Sequence, residues 1–117
     1  MDKQRIDTFR RRLLDRRAEL KALEQTRRAS AETVELDQTR QGRLSRMDAL
    51  QGQAMARAAA ERAGAQLRRI EAALARCDAG DFGYCLECGE PIAERRLEFD
   101  PTAALCIACA QARETGG

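Results

Sequence analysis

The sequence predicts a mostly α-helical protein, in which a long helical hairpin precedes a small cysteine-rich module. The composition favours helices, because 34% of the 117 residues are charged, only 3% are aromatic and neither Trp nor His occurs. Apolar residues recur at helical spacing on both sides of a stretch of poor helix formers. Four of the five cysteines lie in the last third of the chain. The length fits one domain, or one domain with an extension.

The first predicted helix covers residues 2–29. Its apolar stripe is narrow and follows the spacing of a two-stranded seam. The stripe consists of Ile6, Phe9, Leu13, Leu20 and Leu23. A helix this polar gains little by folding alone, so the stripe predicts a partner helix.

The same helix is basic, with ten basic and five acidic residues among positions 1–28. The run Arg10-Arg11-Arg12 is followed by further arginines, which suggests contacts with phosphate groups. Acidic residues alternate with these arginines, and no aromatic residue among them could stack on bases. We therefore favour a solvated helix face over a nucleic-acid site.

Residues 30–44 include Thr33, Val34 and Gly42 and predict the turn of the hairpin, with its tip at about residues 30–45. A second helix is predicted to start at Ser45, whose hydroxyl could cap the amide of Asp48, and to end before Gly80. Its stripe consists of Met47, Leu50, Leu67, Ile70 and Leu74, with alanines between. Residues 1–79 are thus predicted to form an antiparallel coiled-coil hairpin. Cys77 continues the stripe and is interpreted as a small buried apolar residue rather than a redox group.

The cysteine-rich module, residues 80–117, contains two Cys-x-x-Cys pairs separated by seventeen residues. The four cysteines are Cys85, Cys88, Cys106 and Cys109. This spacing predicts one tetrahedral Zn²⁺ site in a small zinc-ribbon-like module. Four thiolates complete the coordination shell, so the zinc is expected to be structural and not catalytic. Two disulfides are the alternative, but they suit a secreted protein, and neither a signal peptide nor a membrane-spanning run is expected here. A cytoplasmic location follows as an expectation.

Few apolar residues are available to cover the zinc, and we expect Ile92, Leu97, Phe99 and Leu105 to do so. Because so small a core is marginal, zinc is expected to supply much of the folding free energy. A short C-terminal helix is predicted from Ile107 to about Glu114.

The module resembles a known family over some thirty residues. The matching motifs are Asp81-Phe82-Gly83-Tyr84-Cys85-x-x-Cys88-Gly89, Arg95-Arg96-Leu97-Glu98 and Pro101-Thr102-Ala103-x-Leu105-Cys106-x-x-Cys109. With the hairpin before them, they resemble a short form of the DksA/TraR family of C4-type zinc-finger regulators. The resemblance implies a non-enzymatic protein that binds bacterial RNA polymerase through its secondary channel, without sequence-specific DNA binding. It also implies that the tip of the hairpin lies near the polymerase active site and that the zinc module braces the base.

The sequence departs from this family at the tip, where the motif Asp-x-x-Asp-x-Ala is absent. The stretch that aligns with it is 42–47, and the nearest carboxylates are those of Asp37 and Asp48. Together with Arg43, Ser45 and Arg46, these two residues are the expected partner-binding residues of the tip.

A second departure concerns the alarmone ppGpp, with which many members act. Asp100 and Ala110 stand where the family has basic residues, although Arg69 keeps a basic residue on the second helix. Fewer cations remain for the phosphates, so we expect the protein to act largely without ppGpp.

Two other functions stay open on the residues alone. One is a zinc-ribbon module that binds nucleic acid through the arginines of the first helix. The other is a protein adaptor whose hairpin docks on a different partner. An enzyme is not expected, because the chain has no His, no glycine-rich phosphate loop and no open metal position.

Overall fold

Four helices form the fold over the residues that the structure describes. The computed structural model describes the backbone of residues 1–38 and 43–116 and the side chains of residues 1–29 and 46–116. The helices are α1 (Lys3–Gln38), α2 (Arg43–Ala79), α3 (Glu94–Phe99) and α4 (Ile107–Thr115). Over the described ranges the only extended pairing is one antiparallel bridge between Tyr84 and Pro91. The predicted mostly helical fold is confirmed. The described helices include none that is both long and apolar enough to cross a bilayer.

The two long helices extend further toward the turn than the sequence predicts. α1 ends at Gln38 instead of about residue 29, and α2 begins at Arg43. Thr33 and Val34 cost at most about 0.7 kcal/mol each relative to Ala, which is too little to end a helix that already has many turns. The prediction that Ser45 caps the second helix is wrong, because the helix starts two residues earlier.

The end of α2 agrees with the prediction. Gly80 follows the last helical residue with a positive φ of 80°. The amide of Gly80 donates to the carbonyl of Cys77 at 3.3 Å, and that of Asp81 donates to Arg76 at 2.9 Å. This pair of bonds is the Schellman arrangement, in which glycine avoids the steric cost of the left-handed conformation.

Contacts divide the chain into two compact units. The first comprises Met1–Arg16 and Arg68–Gly117, so it combines the start of α1 with the end of α2 and the cysteine module. It holds nearly all the buried apolar side chains of the described chain. They are Phe9, Leu13, Ile70, Ala73, Leu74, Phe82, Cys85, Ile92 and Leu97. The core predicted for the start of α1 and the end of α2 is therefore observed, and the two helices run antiparallel here.

The second unit, Arg17–Leu67, buries fewer apolar residues among those whose side chains the structure describes. Leu20 is its one fully buried apolar residue among the described side chains. Leu23 is 50% exposed, Met47 61% and Leu50 60%, so the prediction that these three residues continue the buried stripe is wrong. Helical spacing identifies an apolar face, but the alanines of α2 in this unit have only methyl groups with which to cover it. The domain boundary between residues 79 and 80 stays a prediction.

Candidate metal centre

The first cysteine turn is built by backbone hydrogen bonds. The amide of Cys85 donates to the carbonyl of Glu90 at 2.8 Å, and the amide of Gly89 donates back to Cys85 at 3.0 Å. Gly89 has a φ of 75°, which few other residues adopt without strain. The amide of Leu86 donates to the carbonyl of Ala104 at 2.9 Å. This last bond ties the first turn to the chain just before the second Cys pair.

The second cysteine turn is the beginning of α4. Cys106 is the N-cap of that helix, and its Sγ accepts a hydrogen bond from the amide of Cys109 at 3.5 Å. The helix then runs from Ile107 to Thr115, one residue beyond the predicted end. A thiolate at a helix N-terminus is stabilised by the free amide groups and by the helix dipole.

The four sulfur atoms of the predicted site lie together. All four Sγ atoms are within 4.8 Å of one another. The Sγ atoms of Cys88 and Cys106 are 3.8 Å apart, nearly twice the roughly 2.05 Å of a disulfide. All five cysteines are free, so the disulfide alternative is wrong. A tetrahedral zinc with Zn–S bonds of about 2.3 Å separates its sulfurs by about 3.8 Å, which this cluster fits.

Hydrogen bonding gives the thiols unequal acidities. Amide groups of Cys88 and Cys106 lower the pKa of Cys85 to about 6, against the opposing effect of burial. Hydrogen bonds with the side chains of Cys106 and Cys85 raise the pKa of Cys109 to about 12. A metal-free cluster of this kind therefore holds protons at neutral pH. Binding of a divalent ion requires that they be released.

The segment between the two cysteine pairs contains a short helix that was not predicted from the sequence. α3 lies between the two cysteine pairs and buries Leu97, and Ile92 before it is also buried. Leu105 is half-buried. The expectation that Phe99 covers the zinc is wrong, because 92% of its surface is exposed. The run Glu94-Arg95-Arg96-Leu97-Glu98, five good helix formers between two prolines, was the available signal for this helix.

Two arginines of α1 attach α3 to the hairpin within the first unit. Arg5 forms ion pairs with Glu94, at 3.5 Å, and with Glu98. Arg12 donates to the backbone carbonyl of Glu98 at 2.9 Å. Their guanidinium carbons lie 5.2 and 5.7 Å from the ring centroid of Phe9. Sequence reasoning missed this contact, although the i, i+4, i+7 spacing of the three residues places them on one helix face.

Three of the arginines considered for nucleic-acid binding form contacts within the chain. Arg10 is paired with Asp78 on α2, and Arg12 holds α3 as described above. Arg28 is paired with Glu24 one turn earlier at 2.9 Å. These contacts occupy three of the cations that a phosphate-binding face would need.

The predicted tip residues are only partly described. The side chains of Asp37, Arg43 and Ser45 lie outside the described residues. Arg46 and Asp48 are exposed in the first turns of α2. Cys77, also on α2, is half-buried, and burial raises the pKa of its thiol. This environment suits the interpretation of Cys77 as an apolar residue.

Asp100 has a local structural contact. One oxygen of its carboxylate accepts hydrogen bonds from the amide of Thr102 at 3.0 Å and from the hydroxyl of Thr102 at 2.6 Å. The carboxylate thus stabilises the turn that follows α3. Any substitution at Asp100 changes this turn as well as the charge.

Comparison with known proteins identifies the cysteine module first. Residues 80–114 match the family model described as the prokaryotic dksA/traR C4-type zinc finger. The chain is 58% identical over 43 residues to the RNA polymerase-binding transcription factor DksA of Haemophilus influenzae, and 51% identical over 43 residues to that of Escherichia coli K12. Each match covers 37% of this chain, and covers 30% and 28% of those relatives.

The structure extends the comparison to the whole chain. The transcription factor DksA2 from Pseudomonas aeruginosa matches with a TM-score of 0.87 and 33% sequence identity. The match covers 98% of this chain and 87% of that one. This chain belongs to the DksA/TraR family. Membership and the clustered cysteines together establish one structural zinc ion of the C4 type. In this DksA/TraR protein the zinc module and the ends of the two long helices belong to one compact unit.

Proposed function

We propose that this protein is a transcription regulator that binds bacterial RNA polymerase through the secondary channel and modulates initiation. The observation that carries the proposal is the similarity to DksA2 over 98% of the chain, hairpin and zinc module alike. The curated relatives are described as binding RNA polymerase, but the matched segment spans less than a third of their length. The proposed location is the cytoplasm, and the proposed action is binding without catalysis.

The proposed roles of the parts follow from their placement. Cys85, Cys88, Cys106 and Cys109 are the proposed zinc ligands, and the ion makes their two turns a rigid brace for the first unit. Among the described side chains of the second unit only Leu20 is a buried apolar residue, which suits a segment that interacts with a partner and not one that stabilises the fold. Asp37, Arg43, Ser45, Arg46 and Asp48 are the proposed contact residues near its turn.

Binding to purified polymerase tests the proposal directly. The labelled protein should bind core polymerase with a saturable signal, and a photo-crosslinker at position 48 should react with the walls of the secondary channel. The matched control carries the crosslinker at Glu114 on α4 and should give different products. Absence of saturable binding would refute the proposal, and identical products from both positions would refute the orientation in the channel.

Nucleic-acid binding is the alternative function, and the contacts of the arginines argue against it. Neutralisation of several phosphates makes affinity fall steeply with salt. Because Arg10, Arg12 and Arg28 are engaged in intramolecular contacts, we expect only weak, salt-sensitive binding to bare DNA. Binding to DNA as tight as binding to polymerase at physiological salt would favour the alternative.

A further inference from the structure

The two cysteine turns also contact each other outside the sulfur cluster. The amide of Leu86, in the first turn, donates to the carbonyl of Ala104, just before the second turn, at 2.9 Å. The carboxylate of Glu87, also in the first turn, accepts a hydrogen bond from Nε of Arg113 on α4. The first contact joins backbone to backbone, whereas the second is an ion pair between two side chains.

The Glu87–Arg113 pair has a defined position relative to the metal ligands. Glu87 directly precedes Cys88, and Arg113 follows Cys109 by four residues on α4. Residues four apart on a helix lie on the same face, so Arg113 stands one turn beyond Cys109. The pair therefore connects the second cysteine of the first turn with the second cysteine of the other turn.

These second cysteines form the more accessible side of the cluster. Cys85 is buried, whereas Cys88 is exposed and Cys109 is half-buried. Release of a metal ion from a closed four-coordinate site begins when one ligand moves away, and local opening is easiest where the chain is least buried. We therefore expect zinc to leave by separation of the two turns beside Cys88 and Cys109.

The charges around the cluster give Arg113 a second effect. Four thiolates around one Zn²⁺ sum to a charge of −2. Residues 80–117 carry seven acidic side chains against three basic ones, so most nearby charges repel the thiolates. Arg113 is one of the three cations, and its pairing with Glu87 keeps the guanidinium close to the first cysteine turn. Loss of Arg113 removes the pair and a favourable charge, whereas loss of Glu87 removes the pair and an unfavourable charge.

An exposed ion pair contributes little to overall stability. The side chain of Arg113 is 68% exposed and that of Glu87 is 36% exposed, so their substitution should hardly change the melting temperature. A dissociation rate is the more informative quantity, because the pair must break each time the two turns separate at this side.

We propose that Glu87 and Arg113 form a clasp that keeps the two cysteine turns closed beside Cys88 and Cys109 and so slows the release of zinc. Both are positioning residues, because they act on the metal through the neighbouring cysteines and are not ligands themselves. The proposal concerns retention of the metal and does not depend on the proposed role in transcription.

The rate of zinc release from the purified full-length protein tests the proposal. Zinc is transferred to an excess of a chromophoric chelator, at concentrations where the rate no longer depends on the chelator. Glu87→Gln should accelerate release about two- to fivefold, and Arg113→Gln should accelerate it more because a cation is lost as well. Glu90→Gln is the matched control. It removes a carboxylate of the same loop whose side chain has no hydrogen bond or ion pair with any described residue, and it should not accelerate release.

Rescue variants distinguish a clasp from a general effect of charge. Glu87→Arg combined with Arg113→Glu restores an ion pair with its charges exchanged, so it should release zinc more slowly than either single charge reversal. Arg113→Lys keeps the cation and should remain closest to wild type. High ionic strength should accelerate release from wild type more than from the variant that combines Glu87→Gln with Arg113→Gln, because only wild type has a pair to screen.

Two results would overturn the proposal. One is release at the wild-type rate by both Glu87→Gln and Arg113→Gln. The other is a strictly additive effect of the two substitutions, with slower release by Glu87→Gln and no rescue by the exchanged pair, since Arg113 would then act only through its charge. All variants should load one zinc and keep the wild-type melting temperature, so a change in the rate reports the opening of the metal site.

Discussion

The phenylalanines at positions 9 and 99 allow the same substitution to be compared in opposite environments. Phe9 is 1% exposed and its ring centroid lies 5.6 Å from that of Phe82, at an interplanar angle of 42°. Phe99 is 92% exposed. Phe9→Ala should therefore destabilise the fold, whereas Phe99→Ala should leave stability unchanged. Both variants lose the same atoms, so the difference reports the burial and the contacts of the two rings.

The expected cost at Phe9 follows from its contacts. Truncation of a buried phenylalanine to alanine costs about 3–5 kcal/mol. The tilted pair with Phe82 is worth about 0.5–1.5 kcal/mol beyond area burial, and the two arginines over the ring about 0.5–1 kcal/mol each. We therefore expect a loss near the upper end of that range, about 4–5 kcal/mol. Because small domains have a free energy of unfolding of about 5–15 kcal/mol, this is a large share.

Denaturant unfolding followed by far-ultraviolet circular dichroism, with zinc in excess, measures both variants. In thermal unfolding, the melting temperature of Phe9→Ala should fall by about 15–20 °C, and that of Phe99→Ala by less than about 2 °C. Phe9→Leu keeps most of the side-chain volume and should cost about 1–2 kcal/mol, so it remains informative if the alanine variant does not fold. A loss below about 1 kcal/mol for Phe9→Ala, or equal losses at both positions, would refute the assignment of Phe9 to the core.

Three further predictions concern the metal, the turn of the hairpin and ppGpp. Purified protein should contain one zinc per chain, and Cys88→Ser should lose it while keeping most of the helical signal. The helical signal should persist because α1 and α2 hold 36 and 37 residues, against 6 and 9 in α3 and α4. Metal analysis with circular dichroism checks this, and retention of zinc by the variant would contradict it. Asp48→Ala should alter transcription from a ribosomal-type promoter with little change in polymerase affinity, unlike the control Glu61→Ala on the same helix, and wild-type transcription by Asp48→Ala would count against a role of that carboxylate. Transcription should respond to the protein equally with and without ppGpp on a polymerase that lacks its own separate ppGpp site, since Asp100 and Ala110 supply no cation; a strong added effect of ppGpp would overturn this. Ala110→Lys is the cleaner converse test, because Asp100→Arg would also remove the hydrogen bonds to the following turn.

The cysteine site was the most predictable part of this protein. Spacing alone placed Cys85, Cys88, Cys106 and Cys109 in one cluster, because a Cys-x-x-Cys turn has few conformations and two such turns complete one tetrahedral shell. The end of α2 at Gly80 was predictable for a similar reason, since a glycine cap acts over only a few residues. Features that depend on such short motifs can be predicted from the sequence alone.

The extent of burial along the hairpin was not predictable in this way. Phe9, Leu13 and Leu23 lie on the apolar stripe of α1, and Leu50 lies on that of α2. Of these four residues only Phe9 and Leu13 are buried. Periodicity shows which face of a helix is apolar, but burial also requires a side chain of sufficient volume on the opposing element. For Phe9, the opposing side chain is that of Phe82, which is more than seventy positions away in the sequence.

The amino-acid sequence by itself determined the helical hairpin, the capped end of its second helix and the composition of the metal site. The helical periodicity and the cap depend on interactions between residues a few positions apart, and the metal site depends on the tetrahedral coordination of zinc. Only the tertiary structure decided that Arg5 and Arg12 hold α3, that Phe99 faces solvent and that Arg95 has no partner among the described residues. The direction of a side chain on a short helix depends on which neighbouring element packs against it, and those neighbours come from distant parts of the chain.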